Sequence, residues 1–393
     1  MVGASLALAL ADSGLSIALI EAVSPTSDCQ PSYDDRGLAL SLSSQRIFAA
    51  LGVWQQVEQN SNPIKNVHVS DRGHFGKVRM DAATMRLEAF GHVVIARELG
   101  MVLMEKMKGI DNVDVICPAR VEAVEELVNE IRLQLVTEES SAELTCKLLV
   151  VADGSQSSLR EQLGINTVIT DYEQTAIVTN VTVEKDHGDT AYERFTAFGP
   201  LAMLPLKQKC CAVVFTVPTD QADSYMQKDA DIFLQDIEDR FGRRLGRLSK
   251  LGVRRSYPIL QLQVEQQIAG RALLLGNSAH TIHPNGAQGF NLCLRDVAGL
   301  AEHLLQGYRQ GIEPGNKFLL ESYLASRIDD QKRVSRLSHD MTTWFYNRQL
   351  SKAALRNTAM TLMDLIPPVK TAMMRRGMGL GGKQPALVRG QEI

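Results

Sequence analysis

Hydrophobic positions along this chain follow three successive rhythms. An apolar run over 4–12 predicts a helix, Gly14 stands past its end where a left-handed backbone is cheap, and 16–20 reads as a strand closed by Glu21. Ser43 and Ser44 can cap a second helix over 44–51, ended by Gly52. Short alternating runs between 66 and 95 (NVHVSD, KVRMD, HVVIA) predict strands around turns, and 98–108 predicts a helix. Strands follow at 113–116, 120–126 and 130–136. LTCKLLVVADG, 144–154, predicts one strand ending in an Asp-Gly turn before a short helix at 157–163. The middle then reads as strands at 172–184, 191–198, 201–206 and 211–217 separated by turn residues, interrupted by one helix at 230–241. That is the pattern of an antiparallel sheet. RALLLGNSAH, 271–280, returns to a buried strand, a loop leads to a long helix from about Gly289, and beyond Lys317 the pattern is almost wholly helical.

This order predicts an α/β fold in which a nucleotide-binding domain is interrupted by a β-rich one, with helices closing the chain. The expected division is 1–65, 96–170 and 266–315 for the first domain, 66–95 and 171–265 for the second, and 316–393 for the helical end. Apolar content of 45% and charged content of 22% over 393 residues are those of an ordinary globular protein. A net charge of −3 gives no electrostatic reason to expect nucleic acid. Cys29, Cys117, Cys146, Cys210, Cys211 and Cys293 show no C-x-x-C spacing and no Cys/His ligand set, so thiols in a reducing, cytoplasmic setting are expected and no metal. The opening run lacks the basic start of a secretory signal, and no later run approaches the roughly 20 apolar residues of a membrane span.

Three stretches carry chemistry. Gly3 has the context of the last glycine of a G-x-G-x-x-G fingerprint, at a helix start followed by Ala4 and Ser5, and Glu21 ends the next strand, where a carboxylate can accept from a ribose diol. Read alone, this is equally an ordinary βα unit. Asp153-Gly154, running through Ser157 and Arg160 into a helix, puts a carboxylate and backbone N–H groups at a sheet's carboxyl edge, although Asp-Gly turns are common. The strongest stretch is LLLGNSAHTIHPNGAQGFNLCLRDVAGL. A buried strand ends at Gly276, Pro284 fixes a turn, and Gly286, Ala287 and Gly289 let backbone approach a flat or anionic ligand at a helix start. Asn291, Arg295 and Asp296 follow on the first turns of that helix.

With these residues in view, the chain resembles the flavoprotein aromatic hydroxylases, whose fingerprints are G-x-G-x-x-G, an Asp-Gly motif, and G-D-x-x-H-x-x-x-P-x-x-G-x-G-x-N. Stretches such as DDRGLALSLSSQRIFAALGVW, YERFTAFGPLAMLPL and FGRRLGRLSKLGVRRSYP are similar to the branch acting on polyprenyl methoxyphenols in ubiquinone biosynthesis. The resemblance implies a Rossmann-like FAD-binding domain interrupted by an antiparallel-sheet substrate domain, followed by C-terminal helices. It also implies FAD as cofactor, NAD(P)H as a transient reductant, and hydroxylation by O2 through a flavin hydroperoxide. Gly3 would support the pyrophosphate turn and Glu21 the adenosine ribose. Arg36 and Arg97 would lie near the flavin or its phosphates, and Asp153 and Gly154 would line the pyrophosphate and nicotinamide approach. Gly276, Asn277, Pro284, Gly286, Ala287, Gly289 and Asn291 would hold the ribityl chain and pyrimidine edge.

Asn277 stands where the family has aspartate, and Met1 falls inside the first fingerprint, so its first strand and first two glycines are expected upstream of Met1. PLAMLPL, 200–206, is either an apolar wall over the flavin ring or simple sheet core. No general base is assigned; nothing in the sequence fixes the geometry of His280. The tail places Leu355, Met360, Met363 and Ile366 on a helical stripe, with Lys370, Arg375 and Arg376 after Pro367-Pro368. It is equally a surface for a membrane or for other ubiquinone-biosynthesis proteins, or helices packed on the flavin domain. A hydroxylase of a small soluble aromatic and a non-catalytic member of a quinone-synthesis assembly remain alternatives.

Overall fold

The computed structural model describes residues 1–11, 13–24, 35–138, 140–346, 350–391 and 393. Asp12, Cys29 and Asp34 lie outside the described residues. The chain opens on α1 (Val2–Ala9) and β1 (Ile17–Ile20), with Gly14 at φ +81 between them. β2 (Gly37–Ser41) runs directly into α2 (Leu42–Ala50), followed by α3 (Trp54–Gln59) and β3 (Asn62–Pro63). A hairpin of β4 (Asn66–Asp71) and β5 (Lys77–Asp81) precedes β6 (Gly91–Ile95), α4 (Ala96–Met107) and β7 (Val113–Ile116). Then come β8 (Arg120–Glu126), β9 (Ile131–Val136), β10 (Ser141–Cys146), β11 (Leu149–Val151) and α5 (Ser158–Gln162). The middle holds β12 (Thr167–Val183), β13 (Thr190–Thr196), β14 (Gly199–Leu206) and β15 (Cys210–Pro218). It continues with α6 (Ala222–Gln227), α7 (Ala230–Phe241), β16 (Leu248–Ser249) and β17 (Arg255–Val264). β18 (Ile268–Ala269), β19 (Ala272–Leu274) and β20 (His280–Thr281) lead to α8 (Gln288–Arg309), α9 (Lys317–Tyr346), α10 (Leu350–Leu365) and α11 (Pro367–Gly377).

The nucleotide layer is parallel. β1 pairs with β7, and β11 pairs with β19, which carries β18 at its other edge. α1, α4 and α8 bury their apolar residues in one core with Leu273 and Leu275, and Leu292, Leu294, Val297 and Leu300 of α8 are fully shielded from solvent. The opposite face is covered by the β8–β9–β10 sheet through Ile131, Leu133 and Leu135 against Val151 and Leu274. The expected single strand over 144–154 is in fact two. Leu144–Cys146 pair with Ile131–Leu133, whereas Leu149–Val151 pair with β19, so the chain changes sheet at Lys147. The second helix begins at Leu42 with Ser41 as its N-cap, so Ser43 and Ser44 lie inside its first turn.

The large sheet runs β20-β17-β12-β15-β14-β13-β4-β5, with β16 beside β12. Its ladders are antiparallel except β13–β4. Alternation splits its two faces. Ile177, Val181, Leu201, Met203, Val213 and Phe215 pack under α7 on the outer face. Leu204, Leu206 and Ala212 meet Ile64 and Val93 of the β2–β6–β3 sheet on the inner face. β17 and α6 were not expected; β17 hides because its Gln261, which is buried, and Gln263 both donate to Ser335 of α9 at 2.6 Å, a polar pairing that masks the strand's apolar rhythm.

No helix among the described residues is long and apolar enough to cross a membrane. The tail stripe splits between two faces. Ala353, Arg356, Asn357 and Met360 recur at helical spacing and are buried, while Leu355, Leu362, Leu365, Ile366 and Val369 are exposed. α10 packs on the β4–β5 hairpin: Arg356 donates to Asp71 at 2.6 and 3.0 Å, and Asn357 adds a third bond at 3.0 Å. Gly76 donates to Asn357 at 2.7 Å, and a Cβ there would collide with that side chain. Further on, Met374 and Met378 pack on Ala82 and Phe90. Replacing Arg356 by Leu leaves the Asp71 carboxylate buried without a counter-charge. Such a truncation is expected to cost about 3–5 kcal/mol in urea denaturation and to open the tail to limited proteolysis; a loss below about 1 kcal/mol would contradict the account.

Candidate active site

Three segments converge on the N-terminal end of α1. A Cβ on Gly3 would lie 3.2 Å from Leu19 Cδ1 and 3.8 Å from Ala152 Cβ, so this glycine sets the helix close on β1 and on the end of β11. Gly276, at φ +70, packs against Val2, whose methyls lie 3.2 and 3.3 Å from the Cβ position. Ala152 leads to exposed Asp153 and to Gly154, which has φ +94 and only open space where a Cβ would stand. α1 carries no side-chain cap and no acidic residue in its first turn, which leaves its orphan N–H groups and dipole for an anion. Glu21 stands at the end of β1, its backbone bonded to Ile116 and Ala119. Burial lowers the pKa of the Met1 ammonium and the Glu21 charge opposes that shift, which places the carboxylate beside the helix end.

The loop before α8 forms the second part. Gly286 (φ +64) and Ala287 (φ +51) both take the left-handed backbone, and nothing stands within 4 Å of the Gly286 Cβ position. Ala287 occupies a glycine position of the third fingerprint, so here a side chain bears that conformation. Asn291 is buried and makes four hydrogen bonds: it donates to Ala39 O at 2.8 Å and Ala287 O at 2.7 Å, and accepts from Ser41 N at 2.8 Å and Ser44 Oγ at 2.7 Å. Its hydrogen-bonding capacity is thereby filled. It clamps the loop onto β2 and α2 and has nothing left for a ligand. Asn277 differs: it is exposed, its Oδ1 accepts only the Cys293 thiol at 3.5 Å, and its amide N–H groups make no bond among the described residues.

His280 is committed elsewhere. Its Nε2 lies 2.7 Å from Asp296, which also accepts from Arg327 at 2.8 Å. Arg327 and Arg295 share Asp330 at 2.6 and 2.8 Å. Burial pushes the Asp296 carboxyl up, but Arg327 and His280 outweigh it and hold the group below the usual range. Asp330 is likewise raised by burial but held at about 2 by Arg295 and Arg327. Arg36, just before β2, covers the Tyr257 ring at 4.6 Å. Arg97, in the first turn of α4, pairs with Asp35 at 3.3 Å.

A small cavity of ≈ 10 Å³ lies between the Asn285 loop and the inner face of the large sheet. Gln174, Phe195, Pro200, Asn285, Thr342 and Phe345 line it, and Phe345 stacks on Phe195 at 3.5 Å and 14°. Asn285 is buried and donates to Thr342 at 2.8 Å, while its Oδ1 has no partner. Beside it, His283 is pushed down to about 4 by burial, against a hydrogen bond with Asn285, and is neutral. Of PLAMLPL, Pro200 lines this cavity and Leu204 and Leu206 join the inner-face core, whereas Leu201 and Met203 pack under α7. Sequence reasoning missed Asn285, Gln174 and Phe345. Period-two alternation was the available signal for Phe195; Asn285 had none.

Bare backbone at Gly154 and Gly286, an uncapped helix end and a strand-end carboxylate suit a dinucleotide lying across the sheet edge, and FAD fits that donor set. The family model described as an FAD binding domain matches residues 1–338. Fold and site thus define an FAD-dependent monooxygenase. Ubiquinone hydroxylase UbiL of Rhodospirillum rubrum is 31% identical over 99% of this chain and 91% of its own. The 3-demethoxyubiquinol 3-hydroxylase of Escherichia coli is 27% identical over 97% and 96%. The crystal structure of p-nitrophenol 4-monooxygenase PnpA from Pseudomonas putida superposes with a TM-score of 0.80 over 98% of this chain and 96% of that one, at 18% identity, a likeness of fold. The chain belongs to the FAD-binding-domain family, in its ubiquinone-hydroxylase branch.

Two outcomes follow from this geometry. Ala287→Gly relieves a left-handed strain of about 1–2 kcal/mol, offset by about 0.5–1 kcal/mol of backbone entropy, so thermal unfolding should move up by roughly 1–3 °C. A lowered midpoint, the entropy cost standing alone, would show that Ala287 bears no strain. Asp330 titrates lower folded than unfolded, so its contribution is complete above its unfolded value of 3.8 and is lost as pH falls toward about 2. Unfolding free energies from urea denaturation should therefore decline through that window by roughly 2 kcal/mol more in the wild type than in Asp330→Asn, and parallel declines would refute it.

Proposed function

We propose that this chain hydroxylates the ring of a polyprenyl phenol or methoxyphenol in ubiquinone biosynthesis, with O2 as the oxygen source and NAD(P)H as reductant. The observation that carries the reading is the position of the nucleotide edge. α1, Asp153-Gly154 and the Gly276–Gly289 loop share one sheet edge, and that loop faces an apolar inner wall across a cavity. Bound FAD supplies the redox chemistry, taking reducing equivalents from a nicotinamide and activating O2 for transfer of one oxygen atom to an electron-rich ring. The first-turn N–H groups of α1 and the backbone at Gly154 hold the diphosphate, and Glu21 accepts from the ribose diol. Asn277 offers its free amide to the ribityl chain, and Gly286 allows close approach of the ring system. Pro200, Leu204 and Leu206 keep water from the reacting ring.

A small aromatic acid is the rival substrate. Among the described residues the cavity lining contains no Lys or Arg, and Arg356 behind Phe345 is already paired with Asp71, so nothing waits for a carboxylate. A prenyl chain needs only apolar surface. The exposed residues Leu355, Leu362, Leu365, Ile366 and Val369, with Arg375 and Arg376 beyond, support peripheral contact at the inner face of a membrane or with other ubiquinone-biosynthesis proteins. The test is direct. The purified protein should show visible flavin absorbance, or gain it with added FAD. It should then add one oxygen atom to a short-chain prenyl methoxyphenol when given NADH or NADPH in air, as read by mass spectrometry. A colourless protein that takes up no FAD would leave a non-catalytic assembly role, and oxidation of a benzoate in preference to the prenyl phenol would support the rival.

A further inference from the structure

Along β13, side chains alternate between the two faces of the large sheet. Ala191 belongs to the inner-face core with Leu204, Ala212 and Val93, and Phe195 lines the cavity. Tyr192, between them and Arg194, packs on Phe241 of α7 at the outer face. Glu193 therefore stands on the inner face, one alternation from Phe195. In register its neighbours are Val69 on β4 and Ala202 on β14, neither with a side chain able to hydrogen-bond. The carboxylate is half-buried and makes no hydrogen bond or ion pair among the described residues. Arg194 is directed to the other face by the alternation, and Arg356 is occupied by Asp71, the register partner of Phe195. An unpaired carboxyl on an apolar wall is costly to fold and has no structural partner to justify it.

We propose that Glu193 is the general base that takes the phenolic proton as the substrate ring enters the cavity, a role that rests on the phenol reading above. The phenolic O–H bond breaks, its electron pair stays on oxygen, and the proton bonds to a Glu193 carboxylate oxygen. The resulting phenolate carries more electron density at its ortho and para carbons, where an electrophilic oxygen attacks. When the product leaves, the proton passes to solvent. Burial raises the Glu193 carboxyl to about 7, where it is substantially ionised at neutral pH and still holds a proton well enough to accept one. Of the elements on this face, β4 contributes Asp71 and α10 contributes Arg356, which neutralise each other. β14 presents Ala202, β6 Val93 and α9 Phe345, all uncharged.

The experiment uses the full chain loaded with FAD and 2-methoxy-6-(3-methylbut-2-enyl)phenol as probe, with kcat followed across about pH 5.5–9. Wild-type kcat should rise through a limb near 7. Glu193→Gln should lower kcat about 10²–10⁴-fold and abolish that limb, with KM and the rate of flavin reduction by NAD(P)H unchanged. Glu193→Asp, which keeps the carboxylate but shortens its reach, should retain the limb and recover part of the rate. A Gln variant within about threefold of wild type, or one that keeps the limb, overturns the proposal. If the Gln variant fails to hold FAD, the Asp variant decides, and loss of its limb overturns the role. A wild-type protein that hydroxylates no phenol at all overturns the phenol reading and this role with it. A wild type that turns over while Glu193→Gln is indifferent overturns only the role.

Discussion

A buried polar seam along α9 sets where both halves of the site lie. Arg327, Gln331, Ser335, Ser338 and Thr342 recur at helical spacing and are all shielded from solvent. Each has a partner on a different element. Arg327 reaches Asp296 of α8, Gln331 accepts from Gln267 at 2.7 Å, and Ser335 accepts from Gln261 and Gln263 of β17. Ser338 donates to His283 O at 3.0 Å, and Thr342 accepts from Asn285. Neutral bonds of this kind contribute about 0.5–1.5 kcal/mol each when made, but leaving one partner buried alone costs more. The seam therefore specifies a register: a slide of α9 by one residue would orphan several groups at once. It joins α8 and the loop before it to the large sheet, so the loop from Pro284 to Asn291 and the inner wall of the sheet cannot move independently.

What the linear pattern revealed follows from the kind of force involved. Apolar rhythms located β7, β8, α7 and β12–β15 of the large sheet, because hydrophobic burial is written in composition. The glycines at 3, 154, 276 and 286 were legible because each meets a crowding or left-handed backbone requirement that no other residue meets as cheaply. Polar burial leaves no such trace. β17 was invisible because its inward residues include glutamines, and α9 was legible only as a helix, without its packed face, because that face is serine, threonine, glutamine and arginine. Asn291 was recognised as a site residue, yet its role as a saturated clamp on β2 depends on partners some 250 positions away in the chain. His280 attracted attention as a histidine in a motif; only its pairing with Asp296 shows that it belongs to the scaffold.

The same contrast separates the two sides of the cavity. The loop side is over-determined by Asn291, by Asn285 and by the ionic group around Asp296, which suits a surface that must hold a large flat cofactor within a narrow tolerance. The sheet side presents Gln174, Phe195, Thr196 and Pro200 to the cavity, and Glu193 stands one alternation from Phe195 on the same face. Beside it Val69 and Ala202 offer no hydrogen bond and Asp71 is taken up by Arg356, so the isolated carboxyl has no partner among the described residues.

The polar seam stops one turn short of the end of α9. Phe345 lies beyond Thr342, the last buried polar residue of α9, and it closes the cavity by stacking on Phe195 with Arg356 at 4.9 Å behind it. An aromatic pair contributes about 0.5–1.5 kcal/mol and a cation–π contact about 0.5–2 kcal/mol. Displacing the Phe345 ring thus costs about 1–3.5 kcal/mol, while displacing the preceding turns would break the seam and orphan its partners. The Phe345 ring and the loop from Pro284 to Asn291 are therefore held by separate forces, the ring by aromatic and cation–π contacts and the loop by the buried polar ties of Ser338 and Thr342.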